Sequence, residues 1–189
     1  VVGEEIRRER PSSALKPFDP MTMRPAWVLR LGFRQGPIDG YSETDFSKES
    51  FRWALATSLF IGWGSEDSPS TIQGEVDLIL KSRGFTLTGA AYVASHQSGD
   101  AFAERAFSGF GYHLQASFLF GQLFEPVVRY AQLIFPGTDK DVKDVVASLV
   151  FHWPRWGLRW TTEAGLLLRD IPGGRYSDVR ALMQLQFAL

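Results

Sequence analysis

A chain of 189 residues is long enough for one sizeable domain, and its net charge of -1 with a pI near 6.4 argues against nucleic-acid binding, which needs a concentrated basic face. The absence of cysteine excludes a disulfide framework, a thiolate metal site and a thiol nucleophile. No run approaches the roughly 18 apolar residues of a membrane helix, yet 15 Phe and 6 Trp are many for a mean hydropathy of -0.09. Apolar residues alternating with polar ones give that combination, which is why transmembrane barrels escape hydropathy scans.

The chain begins without Met and without a signal-peptide pattern, so it reads as a mature or truncated chain. Val1–Ile6 reads as the end of an earlier strand, and Arg7–Pro25, charged and Pro-punctuated, as a long polar loop. Residues 26–189 read as a succession of barrel strands. In Ala26–Arg34, Trp27, Leu29, Leu31 and Phe33 alternate with Val28, Arg30, Gly32 and Arg34. A Gly/Pro/Asp-rich connection, Gln35–Glu49, leads to Phe51–Trp63, where Phe51, Trp53, Leu55, Leu59 and Ile61 oppose Arg52, Ala54, Ala56 and Ser58. After Gly64–Ser70 comes the clearest hairpin: Ile72–Lys81, the short turn Ser82-Arg83-Gly84, then Phe85–Ala94.

A longer loop, His96–Phe107, precedes Phe110–Phe118, and the short turn Gly121–Leu123 leads into Phe124–Ile134. After FPGTDKD, Asp144–Trp153 and Leu158–Leu168 flank the short turn Pro154–Gly157. The loop RDIPGGRY (Arg169–Tyr176) then gives way to Ser177–Leu189, in which Val179, Ala181, Met183, Leu185, Phe187 and Leu189 alternate with Arg180, Leu182, Gln184 and Gln186.

Three regularities predict an all-β, transmembrane, antiparallel up-and-down barrel meander of about nine or ten strands. The strands run roughly 9–13 residues, enough to cross a bilayer at a tilt. Connections mostly alternate short and long, with Gln35–Glu49 the long one on the short side. Aromatics gather near strand ends: Phe33, Phe51, Phe85, Phe118, Phe124, Trp153 and Phe187 at one, Trp27, Trp63 and Phe110 at the other, as in two interfacial girdles. Charge cost then assigns the faces, because Arg or Lys facing midplane lipid costs about 2–4 kcal/mol. The charged face, with Arg30, Arg52, Glu75, Asp77, Lys81, Glu125, Arg129, Asp144, Arg159, Glu163 and Arg180, is therefore expected to line the interior. A soluble β-sandwich remains the alternative architecture.

The succession RGFTLTGAAYVAS, GFGYHLQASFLF, FEPVVRYAQL and the closing alternating strand resembles the C-terminal part of the phosphate-selective porin O and P family, through Gly111, Tyr112, Gln115, Glu125, Pro126, Arg129 and Tyr130. GYSETDFSKESFRWALATSLFIG is similar to porin-like relatives of that group. The resemblance implies an outer-membrane channel of a Gram-negative bacterium, usually a homotrimer of 16–18-stranded barrels, embedded in outer-membrane lipid and carrying ions or other small hydrophilic solutes. It also implies that the barrel-assembly machinery reads the closing strand, which ends here on Leu189 where many members end in Phe. The family's basic inward loop and Arg ladder find no match, so no residue is carried over as a phosphate ligand.

The interior charges are of mixed sign, whereas selective pores concentrate one sign in rings. Pore-lining ion-pair networks are the expectation, with Glu125/Arg129 and Arg159/Glu163 spaced to pair locally or across strands. No catalytic, cofactor or metal site is expected. His96, His113 and His152 lack metal-ligand spacing, and nothing marks Ser117, His113 and an acid as a triad. The expected function is passive diffusion of small hydrophilic solutes, anions among the candidates; the alternative is a barrel that conducts nothing and is structural or ligand-binding.

Overall fold

The computed structural model describes residues 26–38, 43–63, 70–97, 108–136, 141–153, 157–171 and 174–187. The strand remnant and polar loop expected before Ala26 lie outside the described residues. Nine strands follow one another in chain order: β1 (Ala26–Gln35), β2 (Arg52–Gly62), β3 (Ser70–Ser82), β4 (Phe85–Gln97), β5 (Gly109–Phe118), β6 (Phe124–Ile134), β7 (Val142–Trp153), β8 (Leu158–Ile171) and β9 (Gly174–Phe187). They form one sheet in which every neighbouring pair is antiparallel. The fold is thus an all-β meander, and among the described residues the sheet is open, with β1 and β9 as its edges. Among the described residues no helix is long and apolar enough to cross a membrane.

The period-two alternation explains this register. Opposite residues of an antiparallel pair share a face, so a chain of partners tracks one surface from strand to strand. Arg52 faces Lys81, Lys81 faces Thr86, and Thr86 faces Ser117. Slipping any strand by one residue would drive its whole apolar set onto the polar face. By this tracking Arg30, Arg52, Glu75, Asp77, Lys81, Glu125, Arg129, Asp144, Arg159, Glu163 and Arg180 all share one face.

Burial on the two faces is the reverse of a water-soluble sheet. The buried side chains include Arg52 at 2% exposure, Lys81 at 4% and Glu125 at 2%, all on the charged face. The opposite face leaves Leu114 at 51%, Val128 at 58% and Val93 at 54% exposed. Rings join along that apolar face at the end where β9 finishes, here the proximal end. Phe118 meets Phe120 at 4.7 Å, Phe124 meets Phe151 at 5.2 Å, and Phe151 meets Trp160 at 5.9 Å between centroids. At the opposite, distal end Tyr112 lies 5.9 Å from both Phe110 and Tyr130. The aromatic rows expected from the sequence therefore gain Phe120, Phe151 and Trp160 at one end and two tyrosines at the other.

One connection differs from its expected form. Most of the loop expected over Arg169–Tyr176 is strand, because β8 continues to Ile171 and β9 starts at Gly174. Arg169 and Asp170, which read as loop charges, pair with Tyr176 and Arg175 in the ladder. Arg175 Nε donates to Asp170 Oδ1 at 2.6 Å, so the polar residues close the hairpin.

Candidate functional site

The long proximal connection between β1 and β2 turns onto the charged face, and Thr44 and Asp45 are buried there. Its sequence, ETDFSKE over Glu43–Glu49, supplies the chemistry for that position. The Asp45 carboxylate accepts from Ser47 Oγ at 3.1 Å and from Lys48 N at 3.3 Å, a local side-chain-to-backbone turn. Its other oxygen accepts from Gly84 N at 2.8 Å, and Arg52 completes the set with a short ion pair. Burial alone would push the Asp45 carboxyl up; the Gly84 N–H, the Arg52 charge and the Ser47 hydroxyl outweigh it and hold the carboxyl below its ordinary value.

The loop and the β3–β4 turn brace each other. Arg83 and Gly84 both have positive φ, 51° and 93°, as a two-residue hairpin turn with the sheet's twist requires. Glycine takes that conformation freely, whereas Arg83, like Lys48 at 49°, takes it against steric preference. Arg83 N donates to Glu49 O at 2.9 Å, and Leu119 N donates to Gly84 O at 2.9 Å, so the turn is bonded on both sides.

Thr44 carries the loop across to the far strands. Its Oγ1 donates to Glu125 Oε2 at 2.8 Å, and Lys81 Nζ donates to its carbonyl at 3.1 Å. Glu125 also accepts from Ser117 Oγ at 2.7 Å and pairs with His152 Nε2 at 2.8 Å. Phe46 meets the His152 ring edge-on at 5.0 Å. Residues 44–46 thus touch side chains of β2, β3, β6 and β7, the geometry of a sheet curled around its polar face. Beside them lies a recess of about 180 Å³ bordered by Glu43, Thr44, Gln115, Arg129, Arg159 and Gln184, among others.

Above the loop, ion pairs cross between strands. Arg30 holds Asp77 at 2.9 Å, Arg180 holds Asp144 at 2.8 Å and reaches Glu163 at 3.6 Å, and Arg129 shares Asp144 at 3.5 Å. Arg180 lies across Gly165, where an added Cβ would stand 2.9 Å from its Nε. Ser58 donates to Glu75 at 3.2 Å. Of the two courses open to Glu125/Arg129 and Arg159/Glu163, local or across strands, the described contacts take the second: Arg129 turns to Asp144 and Glu163 to Arg180 and Ser148, while Glu125 is taken by Thr44, Ser117 and His152. Cross-strand partners lie closer than residues four apart on an extended strand, which are about 13 Å apart. Arg159 Nε is buried with no hydrogen-bond partner among the described residues.

All eleven charges expected to line the interior therefore share one face, in a proximal group (Arg52, Lys81, Glu125, Arg159) and a mid-height group (Arg30, Glu75, Asp77, Arg129, Asp144, Glu163, Arg180). Sequence reading missed Thr44, Asp45, Ser117 and His152 as members of the site. The parity of Ser117 and His152 pointed inward, but loop residues carry no such signal. Ser117 donates to the Glu125 carboxylate rather than to a histidine, so the acid stands between hydroxyl and imidazole, which is not the serine–histidine–acid order of a triad. Among the described residues no group of three His, Asp or Glu could hold a metal ion.

Against known proteins, no family model, no curated protein and no solved structure matches this chain. Of the motif residues behind the porin resemblance, Gly111, Gln115, Glu125 and Arg129 lie on the charged face and Tyr112, Pro126 and Tyr130 on the apolar one.

Proposed function

We propose that the chain forms wall of an outer-membrane β-barrel porin, and that its charged face lines a water-filled path for small hydrophilic solutes. The observation that carries this reading is the reversed burial: charges inside the curve, aliphatic side chains outside, and rings at both ends of the aliphatic zone. Its dimensions agree. From Trp153 to Lys143 along β7, ten steps of ~3.4 Å tilted by ~40° cover roughly 26 Å, close to the ~25 Å apolar band of such barrels. Water on the apolar side would instead make that surface an aggregation liability.

In this reading the Glu43–Glu49 segment narrows the path at the proximal end, and the mid-height ion pairs brace the wall. The mixed signs favour size selection over strong charge selection. The buried loop also supports the second reading, a barrel closed by its own segment that conducts nothing. Single-channel recording in planar bilayers separates them: stepwise, salt-proportional current is the expected result, and folded protein that inserts without current sinks the channel.

A further inference from the structure

Charged side chains occur on the apolar face in one place. Among the described strand residues, the charges on that face are Lys143, Asp170 and Arg175, all at the distal end. Register lines Tyr112, Gln132 and Lys143 across β5, β6 and β7. The Tyr112 and Tyr130 hydroxyls each donate to Gln132 Oε1 at 2.9 Å, and Gln132 Nε2 donates to Asp141 at 3.3 Å. Lys143 and Arg175 then share the Asp170 carboxylate, at 3.8 Å and 2.6 Å. The result is a continuous polar band across β5 to β9, directly distal to the exposed Val145 and Leu166.

We propose that this band is a docking surface for the phosphate-bearing headgroups of the lipid leaflet at the distal end. The inference rests on the membrane reading above. Outward charges are costly at the midplane and nearly free at the interface, so a band of them marks headgroup height. Two cations share one strand carboxylate, and the exposed Arg175 guanidinium, which turns Nε and one Nη to Asp170 at 2.6 Å and 3.4 Å, has the donors of its other Nη to offer phosphate oxygens. Asp141 stands at the loop margin of the band and is engaged by Gln132. Arg169 and Asp178 lie on the other face and pair with each other at 3.8 Å, so neither competes. A half-buried band, open at Arg175 and set beside aliphatic side chains, fits a headgroup anchored by its own acyl chains better than a free ion, which would need a closed pocket.

The test places the full chain in phosphatidylcholine vesicles with and without about a fifth phosphatidate, and measures lipid retained after detergent extraction by native mass spectrometry. The wild type is expected to retain phosphatidate preferentially, and Lys143→Gln with Arg175→Gln to weaken retention about fivefold per cation removed. Heat-modifiable gel mobility verifies that the double variant is folded. Equal retention by wild type and folded variant overturns the proposal, as does displacement of the retained lipid by inorganic phosphate, which would assign the band to an ion. Failure to insert into either vesicle is a separate readout and overturns the membrane reading beneath it.

Discussion

Asp45→Ala tests whether the proximal loop is held on the charged face by the contacts described. The substitution removes the Arg52 ion pair, the acceptor for Gly84 N and the local bonds from Ser47 and Lys48. Stripping one partner from a buried pair costs about 3–5 kcal/mol. Arg52 keeps Glu49, at 3.0 Å, which lowers the cost to roughly 2–4 kcal/mol. The loss falls on docking of the loop, because the sheet ladder is untouched. The reporter is the Arg83 amide, which donates to Glu49 O and does not touch Asp45. Its hydrogen-exchange protection, measured by NMR in detergent micelles, should fall by roughly 30-fold to 1,000-fold, the equilibrium equivalent of that cost. In planar bilayers the same variant should pass larger unitary currents. Arg83 protection within about threefold of wild type would show that Asp45 does not hold the loop, and the reasoning would fail.

Acid should act on the same contact. The folded carboxyl of Asp45 lies below the ordinary value of 3.8, so its stabilisation is complete above that value and fades as pH falls through the lower folded one. Arg83 protection should therefore be flat from pH 7 to about 5 and decline only in stronger acid. Neighbouring positions on opposite faces give a membrane test: Leu149→Arg should destabilise the vesicle-inserted protein by about 2–4 kcal/mol in denaturant titrations, and Ser148→Arg, beside Glu163, by far less. Equal costs would sink the face assignment. Gly165→Val should push Arg180 off Asp144 and Glu163, since the new side chain starts 2.9 Å from Arg180 Nε and 3.3 Å from Val146. A loss of about 1–3 kcal/mol, seen as a lower thermal midpoint, is expected, and an unchanged midpoint would mean that the mid-height ion pairs brace nothing.

The meander and its faces were legible because period-two alternation is a backbone property: once Arg52, Lys81 and Ser117 fall on one parity, pairing alone brings them together. The residue partners were less legible. Glu125 stands four residues from Arg129, and linear spacing invites a local pair, yet a strand separates them by a length that neither side chain bridges easily. Thr44 supplies a nearer donor from a segment without periodicity. The misplaced length of Gln35–Glu49 was visible as an exception, but nothing in alternation tells whether a loop hangs in solvent or folds back. The β8–β9 hairpin was hidden for the opposite reason, since Asp170 and Arg175 look like loop residues until their mutual pairing is seen.

That the described strands number nine has a further consequence. In a meander every strand reverses direction, so β1 and β9 run the same way. Joining those two edges directly would make a parallel seam in an otherwise antiparallel wall, with evenly spaced, slanted hydrogen bonds in place of the paired pattern found everywhere else. A ring that stays antiparallel throughout needs an odd number of strands between β9 and β1. A second copy inserted in the same sense offers only parallel edges to both. The direction of the two edges, rather than their composition, sets which wall this sheet can complete.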